Sequence, residues 1–219
     1  MFNNKIKSLI DSKREGEYWD FKAKYHENKV ELLHDIICLS NNLLNNEAYL
    51  ILGVSDKGDL LGVNNDPNRK TQEELISFIS GKKFAAGRYL NVSLMTFEYE
   101  EKEIDVILID PKGYVPYYLE KSETDKKSEK NKTINAGSIY TRVEDKNTPI
   151  NTTASLLDTE KLWKMHFGLY PTPIKSESST LNWTTPMREC IVKLRKEVGD
   201  LFMARTRRSF TPEFKIQGG

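Results

Sequence analysis

Four carboxylates and two lysines have the types and spacing for phosphate chemistry. Glu15, Glu17 and Asp20 lie just before and inside a short aromatic segment, Tyr18 to Lys22, and Asp56 follows an apolar run. Hard divalent cations are held by carboxylate oxygens in such places. A cation so held activates water and neutralises charge on a phosphodiester. Lys22 and Lys24 are interleaved with Tyr18, Trp19, Phe21 and Tyr25. Lysines pair with phosphates, and aromatic rings stack on unpaired bases. Both patterns also have an ordinary reading. Acidic turns are common on solvated surfaces, and aromatics in a strand commonly pack into a core.

Other chemistry has thinner support. His26, His34 and His166 are dispersed without metal-ligand spacing. Cys38 falls on an apolar helix face and reads as core. Arg142, in SIYTRV, faces either a phosphate or the neighbouring Glu144 and Asp145. Neither G-x-x-x-x-G-K-S/T nor G-x-G-x-x-G occurs, so there is no P-loop for ATP.

These side chains need elements to position them. Helical spacing of Ile6, Leu9 and Ile10 predicts a helix over 5–12, and Tyr18 to Lys22 reads as a strand. Val30, Leu33, Ile37, Ser40 and Leu44 share one face of a helix over 30–44. The run AYLILGV (48–54) reads as a strand buried on both faces, with 60–63 as its hairpin partner across the turn 56–59. A helix is expected over 73–80, starting near Lys70 or Thr71. Strands are expected over 91–99 and 102–109, joined at Glu100-Glu101, and over 115–119 and 138–143. A last helix over 156–167 stops at Gly168. The pattern is α+β around a mixed, largely antiparallel sheet flanked by helices.

The 219 residues carry 33 Lys+Arg against 32 Asp+Glu, a net charge of +1. That is enough chain for one domain with a substantial core. Two distant cysteines, Cys38 and Cys190, give neither a disulfide framework nor a zinc cluster, so a reducing, cytoplasmic setting is expected. No apolar run approaches the ~20 residues that span a bilayer, and MFNNKIKSLIDSK lacks a signal-peptide core. Near-zero charge argues against a broad electrostatic clamp on nucleic acid. The charge is uneven, however. Residues 184–219 hold eight Lys/Arg and four Asp/Glu, net +4, which leaves −3 on 1–183. The stretch 120–132 crowds both signs together and reads as a solvated loop.

Eight segments in order carry a resemblance. They are EGEYWDFK (15–22), DIICLSNN (35–42), YLILGVSDKGDLLGV (49–63), DPNRKT (66–71), KEIDVILI (102–109), VPYYL (115–119), GSIYTRVEDKNTP (137–149) and KLWKMHFGL (161–169). Together they resemble the Schlafen-type AlbA domain, a nucleic-acid-binding family also labelled divergent AAA, over about residues 5 to 183. The resemblance implies an α+β fold and RNA or DNA as partner, in regulation or phage defence in bacteria. Some Schlafen members are metal-dependent endoribonucleases that use three carboxylates. Their motif sets an acidic residue five positions before an acidic-Phe-Lys triplet, here Glu15 before Asp20-Phe21-Lys22. The third carboxylate follows the Gly-Val strand end, which is Asp56 here. The resemblance thus implies Glu15, Asp20 and Asp56 as ligands of Mg or Mn, with Lys22 beside the scissile phosphate; the residues themselves add Lys22, Lys24 and Arg142 as candidate contacts to nucleic acid. Two departures stand out. Asp20 is a methylene shorter than the family's usual Glu, and NNLLNNEAY replaces the Asn-x-x-Gly-Gly run.

Three functions follow in order of expectation: nucleic-acid binding without catalysis, divalent-dependent endoribonuclease, and non-enzymatic protein-interaction domain, with a homo-oligomer open to each. The domain is expected to end at 183. MARTRRSFTPEFK (203–215) resembles the first residues of an insertion-sequence transposase of the small helix-turn-helix type, which implies a truncated gene and a foreign tail over 184–219. The mundane alternative is a native helix with Ile191, Leu194 and Val198 on one face.

Overall fold

The computed structural model describes residues 2–111, 114–125 and 132–169, within the compact unit Met1–Thr172. The expectations for 184–219 and for Cys190 lie outside the described residues.

A short helix, α1 (Phe2–Asp11), buries Ile6 and Ile10, one turn apart. Strand β1 (Trp19–Lys22) follows, then α2 (Lys29–Ser40), then β2 (Ala48–Leu52). β1 and β2 pair in parallel, Asp20 opposite Leu50 and Lys22 opposite Leu52, so α2 is the crossover of a β-α-β unit. Helix α2 is capped by the Asn28 side chain, which accepts from the Val30 N–H. Ten of its twelve residues are buried, far more than one face. All five residues of β2 are buried, as a central strand requires.

Next comes α3 (Gln72–Ser80), opened by a capping box in which Thr71 and Glu74 each satisfy the other's backbone N–H. Strands β3 (Asn91–Tyr99) and β4 (Lys102–Asp110) form a hairpin whose two-residue turn, Glu100-Glu101, has both φ values positive. The four strands lie in the order β1-β2-β4-β3, with only the β1-β2 pair parallel. Hairpins β5 (Glu123–Asp125) with β6 (Lys132–Ile134) and β7 (Arg142–Val143) with β8 (Lys146–Asn147) stand apart from this sheet. Helix α4 (Leu156–His166) closes the described chain. Gly168, at φ +65°, lets its own N–H reach Met165 O and that of Leu169 reach Lys164 O, the paired bonds of a Schellman stop. One core lies between the sheet and α2, and a second between the sheet and α1. The α+β class read from the sequence is the fold observed.

Three expected elements differ. Residues 60–63 do not form a strand beside β2. A single bridge joins Val54 to Leu60, and the Gly53 carbonyl instead takes the N–H groups of Leu61 and Gly62. The reason is that β1 and β4 already occupy both edges of β2. Residues 115–119 make one bridge, Leu119 with Phe84, and of 138–143 only Arg142–Val143 is strand. Both segments run extended across the buried side chain of Asn41. Its Nδ2 donates to Tyr117 O (2.8 Å) and Tyr140 O (2.7 Å), its Oδ1 accepts from Tyr117 N (2.7 Å), and its own carbonyl accepts from Thr141 Oγ (2.6 Å). One amide thus replaces a ladder. The same residue ends α2 earlier than the expected Leu44, which is exposed.

Asp105 holds the other long loop. Fully buried on β4, it accepts from Tyr25 Oη (2.7 Å), Thr96 Oγ (2.5 Å) and both Nε (2.8 Å) and Nη2 (2.9 Å) of Arg69. Asp66 accepts from Tyr25 N at 2.5 Å. The segment DPNRKT is therefore a clasp that pins the β2–α3 connection to the sheet.

Replacing Asn41 with Leu orphans three buried backbone groups. At about 1–3 kcal/mol for each, the variant is expected to lose at least ~3 kcal/mol, read as a lower urea midpoint.

Candidate functional site

Alternation along β1 sets the site. Phe21 points into the α1 core, so Asp20 and Lys22 share the opposite face with α2. There Asp20 is 1% exposed and Arg142, brought by β7, is also 1% exposed. Arg142 Nη2 lies 3.1 Å from Asp20 Oδ1 and 3.0 Å from Glu15 Oε2. Its Nε donates to Gly16 O (2.7 Å) and its Nη1 to Asn147 Oδ1 (2.8 Å). Asn147 passes the connection on, donating to Asp35 Oδ1 at 2.9 Å. Asp35, on α2, also meets His26 Nε2 at 2.8 Å and Lys22 Nζ at 3.8 Å. Lys22 Nζ is 2.5 Å from Asp20 Oδ2. Glu15 completes the ring by accepting from Phe21 N at 3.1 Å. A Cβ at Gly16 would sit 2.2 Å from the Trp19 ring, so a larger residue there requires that ring to move.

Burial, then the negative charge of Asp20 and a hydrogen bond to it, push the Glu15 carboxyl up to about 7, against the pull of Phe21 N–H and Arg142. Asp35 goes the other way. Burial alone would raise it, but hydrogen bonds from His26 and His34 and the charge of Lys22 hold it well below the usual carboxylate range. Burial works against the Lys22 ammonium, but Asp35 and Asp20 outweigh it and raise its pKa. With Glu15 protonated, Arg142 and Lys22 balance Asp20 and Asp35 within a buried site.

The sequence-derived candidates therefore separate. Glu15, Asp20, Lys22 and Arg142 come together. Asp56 is exposed in the turn 55–59, which Ser55 Oγ orders by accepting from the N–H groups of Lys57 and Asp59. Among the described residues no three of His, Cys, Asp and Glu form a metal-holding group. Guanidinium and ammonium nitrogens already fill the space a cation would take beside Glu15 and Asp20. The residues as arranged do not fit Mg or Mn. Arg142 meets neither a surface phosphate nor Glu144 and Asp145; it is buried against Glu15 and Asp20. Lys24 is 67% exposed, its side chain paired with Glu27. Cys38 is fully buried beside His34 (3.6 Å), and burial raises its thiol well above its ordinary value. Asp35, His26 and Asn147 are members that spacing did not reveal. Their one sequence signal is that Asp35 opens the DIICLSNN segment.

Above its ordinary 4.5, a raised Glu15 lets the folded state bind a proton that the unfolded chain releases. Folding stability from this group is complete below about 4.5 and is lost as pH rises towards about 7. Glu15→Gln keeps the acceptor for Phe21 and the donor for Asp20 without that loss. Its Tm relative to wild type is expected to climb between pH 5 and pH 8. A pH-independent difference would show that Glu15 ionises normally.

No curated protein matches the sequence. A family model described as Schlafen, AlbA_2 matches residues 15–151. That span opens on Glu15, runs through Asp20, Asp35 and Arg142, and closes just past Asn147, so it encloses the whole buried ion cluster and ties the chain to a broadly nucleic-acid-related role. With the match covering more than half of the sequence, the chain belongs to the Schlafen AlbA_2 family.

Proposed function

We propose that this chain binds RNA or DNA without cleaving it, and that its carboxylate cluster is a structural ion network. One observation carries the reading: Arg142 and Lys22 hold the oxygens of Glu15 and Asp20 that a catalytic cation would need. The surroundings support it. The open pocket beside Glu15 is lined by Glu17, Glu144 and Asp145 with Arg14, a surface that repels a phosphodiester. A second open groove has Lys24 and Lys102 against Asp66 and Glu101, with Asn64 and Asn65 as amide donors, and Asp66 is already occupied by the N–H groups of Tyr25 and Asn68. The exposed pairing of Lys24 with Glu27 is worth little and is readily exchanged for a phosphate. Lys24 contacts the backbone in this reading, and Lys22 and Arg142 do not.

The endoribonuclease reading has one observation in its favour, the adjacent carboxyls of Glu15 and Asp20, where burial and the Asp20 charge push the Glu15 carboxyl up to about 7. The two readings part in a direct assay. Fluorescence anisotropy with labelled RNA and DNA oligonucleotides is expected to show binding that weakens as salt rises. Lys24→Glu and Lys102→Glu should each lower the salt slope by about one. No binding of any nucleic acid at low salt defeats the proposal. Cleavage of transfer RNA in Mn or Mg by wild type, and not by a folded Asp20→Asn variant, replaces it with catalysis.

A further inference from the structure

The exposed aromatic residues of the described chain are Tyr89, Tyr114 and Phe167; Tyr89 follows Arg88, the Tyr114 carbonyl accepts from Arg88, and Phe167 follows His166, which Arg88 contacts. Arg88 and Tyr89 lead into β3, and Tyr114 follows β4. Asn91 pairs with Asp110, so the two loops emerge side by side from the same end of the hairpin. Helix α4 ends against them. Arg88 Nη1 donates to Tyr114 O (2.5 Å) and Pro116 O (3.0 Å), and its Nη2 lies 3.4 and 3.5 Å from the ring nitrogens of His166. The next ring, Phe167, stacks on Trp163 at 6.0 Å and 22°, and meets His166 edge-on at 4.9 Å. One face of Phe167 is thus backed by protein, yet the residue is 66% exposed. Tyr89 and Tyr114 are 54% and 53% exposed.

The guanidinium differs from two others among the described residues. Arg69 and Arg142 are neutralised by carboxylates. Arg88 is fixed by two carbonyls and has no carboxylate partner among the described residues. Of its five N–H donors, the Nε–H and one on Nη2 remain for an incoming acceptor. The exposed carboxylate of the last turns of α4, Glu160, is taken up by Lys164 at 2.8 Å. A rigid, unneutralised guanidinium matches a phosphate. Open aromatic faces beside it match bases that are not already stacked in a duplex.

We infer that Arg88, Tyr89, Tyr114 and Phe167 form a stacking platform for single-stranded nucleic acid. The inference rests on the nucleic-acid-binding reading and locates a surface for it. The site lies at the β3 edge, the far side of the sheet from β1 and the buried ion cluster. Unpaired bases stack on the rings, and Arg88 holds the intervening phosphate.

The test uses the full chain with labelled 15-nucleotide oligo(U), oligo(dT) and a duplex of equal length. Single strands are expected to bind more tightly than the duplex. Tyr114→Ala and Phe167→Ala should each weaken single-strand binding by roughly tenfold or more. Phe167→Trp, which keeps a stacking face, should restore it. Arg88→Ala should lower the salt slope by about one. Circular dichroism and an unchanged Tm separate loss of contact from loss of fold. If wild type binds but the aromatic variants bind equally well, this platform is wrong and the broader reading stands. If wild type binds no nucleic acid, the broader reading fails and takes the platform with it. If light scattering shows a dimer that Phe167→Ala dissociates without changing nucleic-acid affinity, the patch is a self-interface and the inference is overturned.

Discussion

A single buried guanidinium holds the β1 side of this fold together. Arg142 reaches four acceptors that come from three places: Glu15 and the Gly16 carbonyl before β1, Asp20 within it, and Asn147 on β8. Through Asn147 it also connects to Asp35 on α2. Removing one partner from such a buried set costs about 3–5 kcal/mol, because the remaining charges are left uncompensated. Lys22 and His26 extend the set, Lys22 leaning on Asp20 and Asp35 and His26 on Asp35. Arrangement of charge, rather than apolar packing, decides where the segment before β1 and the β7–β8 hairpin sit.

This constraint explains why the fold was more legible in the sequence than the site. Period and continuity of apolar residues marked α1, α2, β2, β3, β4 and α4, because those signals come from burial along one element. The hairpin turn at Glu100-Glu101 was placed correctly even with two residues that seldom adopt positive φ. Two of the failures are cases of one side chain replacing a ladder, and the third, 60–63, has no free strand edge to join. Asn41 binds the backbone of residues 76 and 99 positions away, so 115–119 and 138–143 look like strands in composition and are not. The segment 60–63 likewise looks like a strand, with apolar residues and a good turn.

The site shows a related limit. Spacing brought out Glu15, Asp20 and Lys22 correctly as neighbours, yet spacing carries no information on what neutralises them. A carboxylate triad and a carboxylate–guanidinium network have the same local pattern. The distinguishing residue, Arg142, is more than a hundred positions away from its partners, and its nearer acids, Glu144 and Asp145, were the obvious but mistaken choice. DPNRKT is a parallel case. Read alone, it is a basic loop; in the fold, Arg69 and Asp66 are spent on Asp105 and Tyr25.

Charge then divides the domain. Of the four described arginines, the fold consumes two, while Arg14 and Arg88 have no carboxylate partner among the described residues. Arg69 and Arg142 are held by carboxylates in or beside the core, where a polyanion cannot reach them without breaking the structure. Arg88 is held by carbonyl oxygens, which fix its position and leave its charge. A domain with a slightly acidic body has few such charges to offer, so their placement decides where a phosphate backbone can lie. The rim around Glu15 is mostly acidic and the carboxylates beneath it are paired internally, whereas the β3 side presents a fixed cation near exposed aromatic residues. If the first surface is structural and the second is free, the family's acidic motif and its contact with nucleic acid are separable in this chain.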